Sequence, residues 1–262
     1  YEKTRKEVRV ELESLKEKSR LFTSDVMRDV MDMDSEGIKN KWIEIFPNDP
    51  IPKETAIAKL KRLLNARLLR RESFVENSEG ILLLNKLKIR SMQGKLKAAV
   101  EWIEHFLESG EKLVIFCDHV EAQGLIYEKF AKKSTAIMAD MDTEKRQRSV
   151  DKFQNDERVR AIVCSLGAGG VGFTMTASSN VLFIEQGWTP AIHDQAEDRT
   201  HRIGQKNAVT AYYMLGKDTI DEDIYKLIER KRAIVSAASD GAEGESVSVV
   251  RDLIDRLASD QL

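Results

Sequence analysis

Between residues 95 and 214 the chain alternates short, largely apolar runs with amphipathic stretches, and this alternation restricts the fold more than any other property. Positions 113–117, 135–138, 161–164, 181–184 and 209–214 read as strands, and 95–107, 121–131 and 143–153 as helices. The apolar runs lack the in-out alternation of a sheet with one wet face, so both faces of each strand must be covered. Buried strands separated by helices predict an α/β fold with a parallel sheet flanked by helices.

The flanking segments are different. Residues 1–90 read as helical, interrupted at Phe46-Pro47-Asn48-Asp49-Pro50-Ile51-Pro52, which holds three of the four prolines and must be a loop. Beyond it Leu60, Leu63, Leu64 and Leu68 mark an amphipathic helix carrying Lys59, Lys61, Arg62, Arg67, Arg70 and Arg71. That basic cluster reads as a solvated helix face or as a phosphate contact. Residues 236–262 form an acidic tail with an amphipathic stretch at 247–257. The expected organisation is therefore 1–90 helical, 91–235 α/β, and 236–262 tail.

A net charge of −2 gives the whole chain no electrostatic pull on nucleic acid, so any such contact must be local. Cys117 and Cys164 each close an apolar run and have no metal-ligand spacing or obvious disulfide partner, which favours a reducing, intracellular compartment. No apolar run approaches the roughly 20 residues that span a bilayer. His193 and His201 have no partner at metal spacing, so structural roles are expected for both and no metal site is assigned.

The chemistry concentrates in Gln195-Ala196-Glu197-Asp198-Arg199-Thr200-His201-Arg202-Ile203-Gly204-Gln205. Arginines three apart on a helix share a face, and the rigid guanidinium fork suits a phosphoryl group that gains charge during transfer. Upstream stands Ser165-Leu166-Gly167-Ala168-Gly169-Gly170-Val171-Gly172-Phe173-Thr174-Met175-Thr176, and between the two Gly187-Trp188-Thr189-Pro190. Further matches are Lys112-Leu113-Val114-Ile115-Phe116, Arg146-Gln147-Arg148 through Phe153, and Thr219-Ile220-Asp221-Glu222-Asp223-Ile224-Tyr225 followed by Lys231. In this order, over residues 90–235, they resemble motifs IV, V and VI and the brace helix of the Swi/Snf DNA-dependent ATPases of helicase superfamily two.

That resemblance implies a RecA-like C-terminal lobe with an N-terminal helical insertion. It implies that Arg199 and Arg202 act as fingers on ATP, with Gln195, Gly170 and Gly172 near the nucleotide. Gly169, Thr174 and Trp188 would contact double-stranded DNA. The chain has no G-x-x-x-x-G-K-[ST] loop and no D-E-x-H; the resemblance places these, with Mg²⁺, on an N-terminal RecA-like lobe that would be this chain's partner. The chain alone is then expected to be inactive, in nucleus, cytoplasm or nucleoid according to its source, with no membrane role. Thr174 stands where the family commonly has Asn, a departure shared with its annealing branch. Met138-Ala139-Asp140-Met141-Asp142 lacks the family's Asp-Gly.

Two alternatives remain at this level. The run Gly167 to Gly172 satisfies G-x-G-x-x-G, and Glu185 follows the first glycine by 18 residues, as in a dinucleotide-binding enzyme. Against it, only 173–179 are left for a crossover helix. The lobe could also serve as a non-catalytic scaffold.

Overall fold

The computed structural model describes residues 1–30, 33–53, 56–167, 173–238 and 249–258, with side chains at all of these except 65, 69–78, 234–238, 249 and 258. The elements run α1 (Glu2–Asp29), α2 (Ser35–Ile45), α3 (Ile57–Glu108), β1 (Leu113–Cys117), α4 (Val120–Lys129), β2 (Ser134–Ile137), α5 (Thr143–Asn155), β3 (Ala161–Ser165), β4 (Asn180–Phe183), α6 (Pro190–Glu197), β5 (Thr210–Tyr213), α7 (Ile220–Ala238) and α8 (Val249–Ala258).

The five strands form one sheet in the order β2-β3-β1-β4-β5, and every pairing is parallel. Successive residues of β1 enter opposite cores, as the pleat requires. Leu113, Ile115 and Cys117 pack with Ala99, Ile103 and Leu107 of α3 and with Ala122 and Ile126 of α4. Val114 and Phe116 pack with Val150 and Phe153 of α5 and Ala196 of α6. Helices on both faces are why the central runs 113–117, 161–164 and 181–184 are continuously apolar. Both cysteines are buried free thiols, and burial pushes them up, Cys164 to about 12.

The turn at 138–142 manages without the family's glycine. Asp142 N-caps α5 by accepting the Lys145 N–H at 2.7 Å, and Arg146 donates to the Ala139 carbonyl at 2.8 Å.

The chain forms two compact units, Glu2–Asn85 with Val250–Leu262, and Lys86–Val249 with Tyr1. The change of pattern read at residue 90 falls inside α3, which is helical from Ile57 to Glu108. Proline is absent from that span, so nothing forces the helix to stop. In the first unit Val26, Val30, Ile38, Trp42, Phe46, Leu60, Leu64 and Leu68 form a core. Arg67 pairs with Asp49 and lies 5.6 Å from the Phe46 ring centroid, so this member of the basic cluster is a structural tie. The side chains of Arg70 and Arg71 are outside the described residues.

The segment 249–258, read as part of an acidic tail, is a helix with Val250, Leu253, Ile254 and Leu257 buried and its charges outward. It is packed so closely that a Cβ on Gly80 of α3 would collide with the Ile254 side chain. Lys16 of α1 pairs with Asp255 of α8.

Within the second unit a buried ion pair fastens α7. Lys95 of α3 meets Asp221 at 2.5 Å with both side chains nearly inaccessible, at 6% and 5% exposure. Asp221 also accepts Ser91 Oγ at 2.8 Å and the Gly216 N–H at 2.9 Å, and Lys95 donates to the Met214 carbonyl at 2.9 Å.

Candidate functional site

The two arginines do not share a helix face. Helix α6 ends at Glu197, where Thr200 Oγ donates to the Glu197 carbonyl at 2.8 Å and the Arg199 and Thr200 N–H groups bond three residues back. Short i+3 bonds tighten the last turn and end the helix. Arg199 and Arg202 therefore lie in the turn that follows, and in different environments. Arg199 is buried at 4% exposure. Burial, the largest influence, lowers its pKa from the ordinary arginine value, with Cys164 close by, yet a guanidinium stays charged. Its carbonyl accepts the Met175 N–H at 2.8 Å. Arg202 is exposed, and its Nη1 donates to Thr174 Oγ1 at 3.3 Å.

The turn is held by Gln205. Its amide nitrogen reaches the carbonyls of Ser178 at 2.7 Å, Thr200 at 3.2 Å and Thr176 at 3.3 Å. Its amide oxygen accepts the N–H groups of Lys206 and Asn207, each at 3.0 Å. One side chain thus joins the arginine turn to the 173–179 segment. Gly204 has φ +106° with nothing within 4 Å of where a Cβ would be, so its glycine answers to backbone conformation alone. Ile203, between Arg202 and Gly204, is fully exposed.

Behind the turn, Arg232 of α7 binds Asp194 at 2.7 Å, Glu229 at 2.8 Å and Glu197 at 3.3 Å, and Tyr213 donates its hydroxyl to Glu197 at 2.5 Å. Glu197 is committed to α7 and β5. Gln195 is exposed on α6. Gly169, Gly170 and Gly172 lie outside the described residues.

A second cluster gathers where β1 and β4 end. Parallel strands bring their carboxyl ends to one edge, where such sheets bind ligands. Glu185, just past β4, accepts the N–H groups of Asp118 and His119 at 3.0 and 2.9 Å and bonds the His119 ring. Burial alone would raise Glu185, but the His119 bonds outweigh it and leave its pKa lowered, while that of His119 is raised. Trp188, half-buried, follows, with the Lys88 ammonium 4.6 Å from its ring centroid. Lys88 is 2% exposed and binds Asp118 Oδ2 at 2.5 Å and the Gln186 carbonyl at 2.7 Å.

His193 supports the same turn. It is wholly buried, accepts the Gly187 N–H at Nε2 and donates from Nδ1 to the Thr189 carbonyl, each at 3.2 Å. Burial brings its pKa down to about 4. A folded pKa below the unfolded value of about 6.5 means the unfolded chain takes up the proton first, so this group's contribution is complete above pH 6.5 and is lost as pH falls toward 4. The parent should lose on the order of 3 kcal/mol more than His193→Gln across that window, as urea midpoints at successive pH values would register. Parallel pH profiles for the two proteins would contradict the neutral buried imidazole.

The structure thus brings Arg202 to Thr174 and sets Trp188 in a separate cluster with Lys88 and Asp118. Sequence reading passed over Lys88, Asp118, Gln205 and Arg232 as site residues. Lys88 stands 30 and 98 positions from its partners, and no local pattern marks such a group. Arg232 lay one position beyond the quoted Lys231. The dinucleotide alternative is not favoured. No helix occurs between Phe173 and Ser179, and the Glu185 carboxylate is occupied by His119 and two backbone donors. Among the described residues no cluster of His, Cys, Asp or Glu could hold a metal, and no helix is long and apolar enough to cross a membrane.

Fold and motif-bearing turn together define a helicase C-terminal lobe, and residues 75–204 match the helicase conserved C-terminal domain. A Xenopus tropicalis SWI/SNF-related matrix-associated actin-dependent regulator of chromatin subfamily A-like protein 1 is 34% identical over 171 residues, covering 64% of this chain and 18% of that protein. An uncharacterized ATP-dependent helicase of Mycoplasma pneumoniae is 31% identical over 70% of this chain and 16% of its own length. The mouse DNA annealing helicase and endonuclease ZRANB3 is 30% identical over 61% of this chain and 15% of its length. The crystal structure of the C-terminal part of the Fun30 ATPase domain superposes with a TM-score of 0.51 over 87% of this chain and 73% of that one, at 20% identity, and shows the same fold. The chain belongs to the Swi/Snf family of helicase superfamily two, as its RecA-like C-terminal lobe. It spans less than a fifth of the length of each of these three relatives.

Proposed function

We propose that this lobe completes the ATP site of a double-stranded-DNA translocase whose other lobe holds the phosphates and Mg²⁺. The observation that carries the reading is the exposed Arg202 guanidinium on a turn pinned by Gln205. A charged fork held on an ordered turn can meet charge that develops on a transferring phosphoryl group, without reorganising at that moment. Arg202 is assigned the finger role. Arg199 is assigned as the second finger; in this conformation it is buried, and its carbonyl ties the turn to Met175. Gln195 on α6 and the glycines Gly170 and Gly172 are assigned to the nucleotide, and Gly169, Thr174 and Trp188 to the DNA backbone and bases. ATP supplies the free energy when bound between the lobes; this chain's residues orient it and bear on its γ-phosphate. Residues 1–90 act as the helical insertion between the lobes and 91–235 as the catalytic lobe.

ATP turnover by the two-lobed protein, with and without duplex DNA, tests this beside the 262-residue chain alone. Stimulation by duplex and an inert isolated chain are expected. Hydrolysis by this chain alone, or turnover indifferent to duplex DNA, would overturn the reading.

A further inference from the structure

Trp188 is fixed from two directions, and the way it is fixed limits what it can do. The imidazole of His193 takes the Gly187 N–H and gives its own to the Thr189 carbonyl, so the backbone on either side of the indole is tied to one rigid group. The Lys88 ammonium has three N–H donors. Two go to Asp118 at 2.5 Å and the Gln186 carbonyl at 2.7 Å, and the Trp188 ring, 4.6 Å away, covers the remaining side. A desolvated ammonium against an aromatic face is held by the ring quadrupole as well as by its ion pair. One indole face is therefore taken by a buried cation.

We infer that Lys88 and His193 are positioning residues that make Trp188 a one-faced platform for nucleic acid, stacking on a single base or sugar and unable to intercalate between two. This rests on the reading that Trp188 touches DNA. A free indole could sample several rotamers and offer both faces; one capped by Lys88 offers the same face every time, which suits a contact that is made and released at each step along a strand without sequence preference.

The test uses the two-lobed protein and fluorescein-labelled duplex DNA, with anisotropy giving affinity for the parent, Trp188→Ala, Lys88→Met and the double variant. Each single variant is expected to weaken binding about tenfold, a typical stacking contribution, and the double variant no further, because both changes remove the same contact. If Trp188→Ala binds like the parent, the DNA contact itself is wrong and the inference goes with it. If Trp188→Ala weakens binding but Lys88→Met does not, or the two add, the contact stands and the positioning role is refuted. Should Lys88→Met fail to fold through its unpaired Asp118, His193→Gln serves in its place, since it leaves that ion pair intact. The emission of Trp188, taken as parent minus Trp188→Phe, should shift in His193→Gln. An unshifted spectrum with parental affinity would refute the inference.

Discussion

Replacing Arg202 by alanine should lower DNA-stimulated ATP turnover of the two-lobed protein by two or more orders of magnitude, with duplex affinity little changed. Finger arginines in phosphoryl transfer contribute on the order of 10³–10⁵ in rate, because a permanent charge meets charge that appears only in the transition state. What supports the proposed finger role is that Arg202 is exposed, bonded to Thr174 at 3.3 Å, and carried on a turn that Gln205 holds through five hydrogen bonds. Arg202→Lys should recover little of the rate, since an ammonium lacks the planar fork. Steady-state kinetics separates the cases: kcat should fall with KM for ATP nearly steady if the side chain acts mainly in the transition state. A variant that keeps turnover within a few-fold of the parent would show that Arg202 does not face the phosphoryl group.

The second large effect concerns stability. Asp221→Ala should cost about 3–5 kcal/mol in denaturant unfolding, the usual penalty for leaving one half of a buried pair behind. The substitution removes the counter-charge of the Lys95 ammonium, which is 6% exposed, and leaves the Gly216 N–H without its acceptor. That is a large part of the roughly 5–15 kcal/mol that holds a domain folded. The double change Lys95→Met with Asp221→Leu should recover much of the loss, because it removes both charges and leaves apolar groups of similar volume. A single-variant loss below about 1 kcal/mol would mean that water reaches the pair.

The strands were legible because burial on both faces leaves a continuous apolar run. The reading placed β1 at 113–117, where it is, and the other four within one residue at each end. The extent of α3 was hidden. A change of composition near residue 90 looks like a boundary, yet a helix can pass from one compact unit into another without altering its period. Helical spacing of Arg199 and Arg202 likewise suggested one face, but their fates were decided by where α6 ends, and that depends on Thr200 bonding back to Glu197. Of the polar groups around Trp188, the sequence marked only His193, as structural. Lys88 and Asp118 are brought to that turn by the parallel sheet and α3, and no short-range rule connects them with it.

The two buried thiols carry a practical consequence. Cys117 and Cys164 lie within strands, with 1% and 3% exposure and raised pKa values, so neither presents a thiolate to a reagent in native protein. A maleimide dye therefore finds a background without competing sites among the native cysteines. A cysteine introduced at the fully exposed Ile203 would be the accessible thiol of this chain. In the two-lobed protein proposed above, a fluorophore there would ride on the arginine turn, and its energy transfer to a partner dye on the other lobe would report the opening and closing of the proposed cleft.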